Sequence, residues 1–176
     1  RSESNPGSFR DRDDPSPVQA GNDGGGVYYP GNSPAGWTVR KDGTRVARSY
    51  GSMSYALLKC YVLAGLAADD PRVKAVVEWV SSHWTLEVNP GFDTLRDPRA
   101  GFQGLYYYYL TLAEALSASN LSVLRTPGGV EHDWRAELGL RLSSLQQENG
   151  SWINEDAPRW WEGNPILCTA YALNAL

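Results

Sequence analysis

The stretch Gln146-Gln147-Glu148-Asn149-Gly150-Ser151-Trp152 follows an amphipathic run and decides how the rest of the chain is interpreted. Its pattern, Q-x-x-x-G-x-W, is typical of a loop that closes a pair of helices. Gln146 can bond the exposed backbone groups of neighbouring helix ends, Gly150 permits a left-handed turn, and Trp152 covers the junction with a large apolar face. The pattern therefore predicts a stack of similar helix pairs.

Apolar residues at three- and four-residue steps predict five helices. These run from about Tyr50 to Ala67, from Pro71 to about Trp84, from about Phe102 to Ala118, from Asp133 to the Gln146 element, and from Pro165 to the end. Asp70-Pro71 and Asn164-Pro165 each place an N-cap before a proline at the first helical position. Two helices and a glycine–aromatic loop recur at roughly 50 to 60 residues, which is typical of an all-α repeat protein.

The composition of the helices predicts two rings. Odd-numbered helices are rich in small, aromatic and aliphatic residues, whereas even-numbered helices carry charged faces. Four consecutive tyrosines, 106–109, cover most of the circumference of the third helix at about 100° per residue. Such a helix is enclosed by others, but the face that points into a ring would line its cavity. Tyr106 and Tyr109 are therefore candidate ligand contacts as well as core residues.

The N-terminal segment differs from the remainder. Residues 1–48 are rich in Gly, Pro, Asp, Asn and Ser, which predicts an irregular, partly extended segment before a helical domain at 49–176. Within it, Asn22-Asp23-Gly24-Gly25-Gly26-Val27-Tyr28-Tyr29 resembles the later Asn149-Gly150-Ser151-Trp152, because polar residues and glycine precede an aromatic residue in both.

With these residues assembled, the chain resembles the prenyltransferase/squalene-oxidase repeat superfamily over about residues 20–176. The Q-x-x-x-G-x-W pattern carries most of the resemblance, and 50–66, 104–109, 132–135 and 161–173 resemble bacterial proteins assigned only by that repeat. The resemblance implies an α/α toroid. Five helices supply only part of the family's ring, so we expect another protein chain or a missing N-terminal half to complete this partial barrel.

Composition excludes several classes of protein. A net charge of −4 without a basic stripe argues against a nucleic-acid partner, and no apolar run is long enough to span a membrane. Two cysteines, Cys60 and Cys168, make neither a disulfide framework nor a four-ligand zinc site. We therefore predict no metal and no cofactor.

The chain ends carry a further expectation. Residue 1 is Arg, and the final helix has no Gly, Pro or basic residue to close it. We expect a piece of a longer protein, with an upstream helix pair before Arg1, and favour an extracytoplasmic, secreted or periplasmic location.

The catalytic motifs of the superfamily are poorly matched. Its cyclases protonate an alkene or epoxide with the central carboxyl of D-x-D-D, and Asp11-Arg12-Asp13-Asp14 has those letters. Asp13, however, precedes a Pro-Ser-Pro loop without apolar neighbours, whereas the chemistry needs a protonated acid in a dry cavity. The zinc-dependent relatives need an Asp two residues before their Cys, and Leu58 stands there before Cys60.

Two clusters remain open between structural and functional interpretations. The first is His132-Asp133-Trp134-Arg135, either a helix cap with an inward Trp134 or a ligand-contacting rim with His132 and Asp133 as acid or base. The second is Arg159-Trp160-Trp161-Glu162, either a cover for helix ends or an aromatic platform for a sugar, aromatic or cationic ligand.

Two functions follow from these patterns. The first is a non-catalytic helical toroid that serves as a binding or assembly module, with a hydrophobic or aromatic ligand as one option. The second is an isoprenoid-processing enzyme, a terpene-cyclase-like isomerase or lyase, whose catalytic acid is Asp13 or lies in an N-terminal half.

Overall fold

The structure, a computed structural model, describes residues 18–29 and 31–176. The described part of the chain is 43% helical, and most of this helix lies in five α-helices. They are α1 Gly51–Leu63, α2 Pro71–Ser82, α3 Leu105–Ala118, α4 Trp134–Leu145 and α5 Pro165–Ala175. A mostly helical fold is therefore confirmed, whereas the toroid and its repeat stay predictions.

The N-caps predicted at Asp70 and Asn164 are confirmed, and so is the cap interpretation of Asp133. Asp70 accepts a hydrogen bond from the Arg72 amide at 2.9 Å, and Asn164 accepts one from Ile166 at the same distance. Asp133 accepts one from the Ala136 amide at 3.1 Å. Each cap satisfies an amide that the first helical turn leaves without a partner.

Small strands correct the expectation of an all-α chain. In the N-terminal segment, β1 Val18–Gln19, β2 Trp37–Val39 and β3 Arg45–Ala47 form a sheet with β3 in the middle, parallel to β1 and antiparallel to β2. Before α4, β4 Leu124–Arg125 and β5 Glu131–His132 pair as a hairpin. Strands of two or three residues are too short for alternation to reveal, so the sequence did not predict them.

The core is built around α3. This helix packs against both α1 and α5, and α1 also packs against α2. Tyr106, Tyr108 and Tyr109 are at most 2% exposed, whereas Tyr107 is 37% exposed. Three of the four tyrosine rings are thus buried. The Tyr107 ring lies on the surface shared by the odd-numbered helices.

Candidate functional site

The Gln146–Trp152 element seals the junction between α4 and α5. The Trp152 ring is 3% exposed, and its Nε1 donates to the Leu142 carbonyl in α4 at 2.8 Å. Its amide donates to the Thr169 hydroxyl in α5 at 3.1 Å. Trp152 therefore fills the place expected of it, with its polar edge satisfied.

Gln146 and Gly150 act within the loop. The Gln146 side chain donates to the Gly150 carbonyl at 2.9 Å, which corrects the expectation that it bonds a neighbouring helix end. Gly150 has φ +81°, as expected for a left-handed residue. However, α4 ends five residues earlier at Leu145, so Gly150 turns the loop and does not terminate the helix.

The related loop at Asp23 lies against the helices. One Asp23 oxygen accepts from the Gly25 amide at 3.1 Å and the Ser49 hydroxyl at 2.8 Å, and the other accepts from Trp79 Nε1 at 3.2 Å. This carboxylate connects the N-terminal segment to Trp79 in α2 and to Ser49, which lies just before α1. The sequence showed the similarity of the two loops but not this anchoring role.

The tyrosine hydroxyls hold the loop that follows α2. Tyr108 donates to the Thr85 carbonyl at 2.7 Å, and Tyr109 donates to the Leu86 carbonyl at 2.6 Å. The Arg141 side chain in α4 donates to the same Leu86 carbonyl at 3.1 Å. The hydroxyls are thus engaged with backbone, and the buried Tyr106 and Tyr109 rings, 5.9 Å apart, offer no surface to a ligand in this conformation.

His132 and Asp133 lie at the start of α4 in structural contacts. His132 Nδ1 lies 2.9 Å from the Glu137 carboxylate, and the same carboxylate accepts from Trp84 Nε1 at 3.2 Å. Asp133 is the cap of α4. A histidine held by a carboxylate has the arrangement of an acid–base pair, but here the carboxylate joins the loop after α2 to α4.

Trp134 is a core residue. Its ring is 2% exposed, and its Nε1 donates to the Leu121 carbonyl at 2.6 Å. The Arg135 guanidinium lies 4.2 Å from the ring centre. Because Leu121 follows α3, Trp134 joins the end of that helix to the start of α4.

Distant side chains satisfy the starts of α1 and α3, which have no side-chain cap of their own. Asn89 accepts from the Ser52 amide at 3.1 Å, and Glu162 accepts from the Tyr107 amide at 2.8 Å. In each case the residue comes from the loop after the next even-numbered helix. The sequence offered only weak signals for these contacts, an Asn-Pro-Gly turn and an acid beside two tryptophans.

Glu162 is the buried carboxylate of this region. Its side chain is 1% exposed, and its second oxygen accepts from Asn154 at 2.7 Å. Burial raises the pKa of the Glu162 carboxyl, while the hydrogen bonds from Asn154 and the amides that begin α3 oppose that rise. The Cys168 thiol donates to the Glu162 carbonyl at 3.0 Å. These contacts make Glu162 a long-range helix cap.

The two tryptophans before Glu162 adopt a strained backbone. Trp160 and Trp161 have φ of +56° and +69°, a region that costs of order 1–3 kcal/mol for a bulky residue. The Trp160 ring lies against Gly104 at the start of α3 and under the Arg159 guanidinium, 4.7 Å from the ring centre. Trp161, in contrast, is 80% exposed. Of the predicted ligand contacts, Trp161 is the most accessible.

A polar and aromatic patch surrounds Tyr107 on the face shared by the odd-numbered helices. The Tyr107 and Tyr171 rings lie 5.8 Å apart, and Lys59 in α1 pairs with Glu114 in α3 at 2.9 Å. Burial raises the pKa of the Tyr107 phenol, and nearby Glu114 adds to that rise. The sequence predicted that some tyrosine would line this face, but not which one.

The described residues hold no group of three or more His, Cys, Asp or Glu side chains arranged to bind a metal ion. Cys60 is exposed and Cys168 is buried, and both are free thiols. No helix within residues 18–29 and 31–176 is long and apolar enough to cross a membrane. Asp13 lies outside the described residues.

Comparison with known protein-family models, curated proteins and solved structures finds no match to this chain. The resemblance to the prenyltransferase/squalene-oxidase repeat therefore stays a prediction, and the functional argument depends on the geometry of the chain itself.

Proposed function

We propose that this chain is a partial α/α toroid that serves as a binding or assembly module, in which α5 receives a helix from another polypeptide. One observation carries the proposal, an apolar stripe along α5 that no described residue covers. Ile166 is 79% exposed and Leu173 is 60% exposed, and exposed Ala170 lies between them.

The position of the stripe favours a helical partner. At 3.6 residues per turn, the stripe projects from the side of α5 opposite to its buried side. The buried side consists of Cys168, Ala172 and Ala175. Since α5 packs on α3 and α3 packs on α1, another helix on the stripe would extend the same row.

The long-range caps support a repeated arrangement. The loop after α2 caps α1 through Asn89, and the loop after α4 caps α3 through Glu162. In both cases, the side chain reaches an amide in the first turn of the odd-numbered helix. Such recurrence is expected of a stack of similar helix pairs, because the loop that follows each pair caps the first helix of that pair.

The contacts of the candidate catalytic groups favour assembly over isoprenoid chemistry. Glu137 holds His132, Asp133 caps α4, and Glu162 accepts hydrogen bonds at the start of α3. An acid that protonates an alkene must instead face its substrate. The alternative enzyme would depend on Asp13 or on an N-terminal half, for which the described residues offer no supporting contact.

Sedimentation velocity of the purified chain tests the proposal. We expect concentration-dependent self-association, because the uncovered stripe pairs with apolar surface on other copies when its own partner is absent. The double substitution Ile166→Glu and Leu173→Glu should abolish association while circular dichroism retains the helical signal.

The matched control places the same two charges elsewhere. Leu95 and Leu140 are 99% and 73% exposed, and both lie outside α5. Their double substitution to Glu should leave association unchanged. A wild-type chain that stays monomeric at all concentrations, or association that both double variants reduce equally, would contradict a role for the stripe.

A further inference from the structure

A groove separates α1 and α2 from the loop and hairpin that follow α3. Its volume is about 640 Å³, within the range of roughly 300–1,000 Å³ that small-molecule sites occupy. Leu58 and Val73, which are at most 5% exposed, lie at its base. Half-buried Val62, Leu66 and Val77 line its walls.

The shape of the groove suits an extended apolar chain. Along α2, its lining residues Val73, Val77 and Ser81 recur every four positions, so they form one row along the helix. At a rise of 1.5 Å per residue this row is about 12 Å long. On α1, the lining residues Leu58 and Val62 repeat the same spacing, and Leu66 lines the groove just beyond the end of the helix. Two such rows make an elongated apolar trench.

Positive charge lies on both walls of the groove. Lys74 lies on α2 and Arg125 on the β4–β5 hairpin, whereas Glu78 is the single acidic residue among the described residues that line the groove. Arg125 pairs with Glu131 on the facing strand. Among residues 18–29 and 31–176, no carboxylate forms an ion pair with Lys74. Lys74 is therefore the cation available to an incoming anion.

We propose that this groove, which we call the α1–α2 groove, binds a single-chain amphiphile with an anionic head group, such as a fatty acid. The alkyl chain lies along the two apolar rows, and the head group meets Lys74 at the rim. Burial of the chain supplies most of the affinity, while the charge selects the head group. This site is separate from the α5 stripe, so it goes beyond the proposed assembly function.

Displacement of the fluorescent fatty acid cis-parinaric acid from the full chain tests the proposal. Three competitors share one alkyl chain and differ in head group: dodecanoate, dodecanol and dodecyltrimethylammonium. We expect dodecanoate to compete best, dodecanol less well and the cationic amphiphile least. Equal competition by all three would overturn the assigned charge preference, and absence of parinaric acid binding would overturn the site.

Two variants assign the binding to the groove. Val77→Trp should fill the trench and abolish parinaric acid binding, whereas Leu140→Trp on the exposed face of α4 should not. Lys74→Glu should weaken dodecanoate about tenfold and leave dodecanol unchanged. Lys41→Glu makes the same charge change at an exposed turn and should affect neither.

The controls keep each outcome decisive. Thermal unfolding would report any loss of stability in Val77→Trp. Lys74 is exposed, so its substitution should not affect folding and tests the site independently of Val77→Trp. Binding that survives in a folded Val77→Trp variant would overturn the groove as the site. Equal losses of dodecanoate and dodecanol in Lys74→Glu would contradict the role of its charge.

Discussion

The loops at Asp23 and Asn149 have the same local geometry but different surroundings. In each, the side-chain oxygen of the first residue accepts the amide two positions later, at 3.1 Å for Asp23 and 3.0 Å for Asn149. In each, the intervening glycine is left-handed, with φ +89° at Gly24 and +81° at Gly150. Local chemistry thus produces the same turn twice.

The difference lies in what touches the turn. A Cβ at Gly24 would lie 2.3 Å from the Ala75 carbonyl oxygen of α2, whereas the nearest atom to a Cβ at Gly150 is 3.9 Å away. The Asp23 side chain also binds Ser49 and Trp79, but among the described residues the Asn149 side chain binds only Ser151 of its own loop. The turn at Gly24 thus packs against α2, whereas the turn at Gly150 belongs to a surface loop.

Gly24→Ala should have the largest effect in this comparison. The added methyl group collides with backbone of α2, and the residue must also keep a left-handed φ. We expect a loss of about 3 kcal/mol or more in the free energy of unfolding. Urea unfolding followed by circular dichroism measures it. A loss near that of Gly150→Ala would show that the contact with Ala75 relaxes without cost.

Asp23→Ala should come next. It removes an acceptor from the Ser49 hydroxyl and from Trp79 Nε1, which lies on a side chain only 4% exposed. We expect a loss of about 2–3 kcal/mol in the free energy of unfolding, because two donors lose hydrogen bonds to a charged acceptor. Tryptophan fluorescence should report the changed environment of Trp79. An unchanged midpoint of urea unfolding would refute the anchoring role.

Gly150→Ala should cost less, about 1–2 kcal/mol, because only the left-handed backbone opposes it. Substitution by asparagine separates the cost of the left-handed backbone from the cost of the steric contact, since asparagine tolerates that backbone but carries a Cβ. Gly150→Asn should therefore be close to neutral in urea unfolding, while Gly24→Asn should remain as damaging as Gly24→Ala. Equal effects of asparagine at both positions would remove the distinction between the loops.

Asn149→Ala should have the smallest effect, about 0.5 kcal/mol in the free energy of unfolding. Its hydrogen bonds to Ser151 are exposed, so water replaces them when they are lost. The same measurement on Asp23→Ala provides the matched comparison. A cost as large as that of Asp23→Ala would show that the surface turn also supports the α4–α5 junction.

Sequence reasoning worked where the signal was local. Asp70 and Asn164 were predicted as caps, and a cap was one of two interpretations of Asp133, because an Asx residue stands directly before each helix. All three accept a hydrogen bond from an amide of the first turn. Trp152 was predicted to cover a junction, and it is buried with hydrogen bonds to Leu142 of α4 and Thr169 of α5.

The same reasoning failed where the partner is distant in sequence. Asn89 and Glu162 accept hydrogen bonds from the Ser52 and Tyr107 amides, which lie 37 and 55 residues before them in the first turns of α1 and α3. No local pattern marks such a residue, because its partner is known only once the helices have packed. Glu162 and Trp134 were accordingly considered as ligand contacts, although both side chains lie in the interior.

The sequence by itself determined the five helices, the caps of α2, α4 and α5 and the left-handed turn at Gly150, because these depend on dihedral preferences and on hydrogen bonds within a few residues. Only the tertiary structure decided that Asp23 anchors the N-terminal segment while Asn149 does not. It also decided that Tyr107 alone of four tyrosines reaches the surface, and that the α5 stripe stays uncovered. Packing made these choices, since burial and close contact belong to pairs of elements and not to either sequence segment alone.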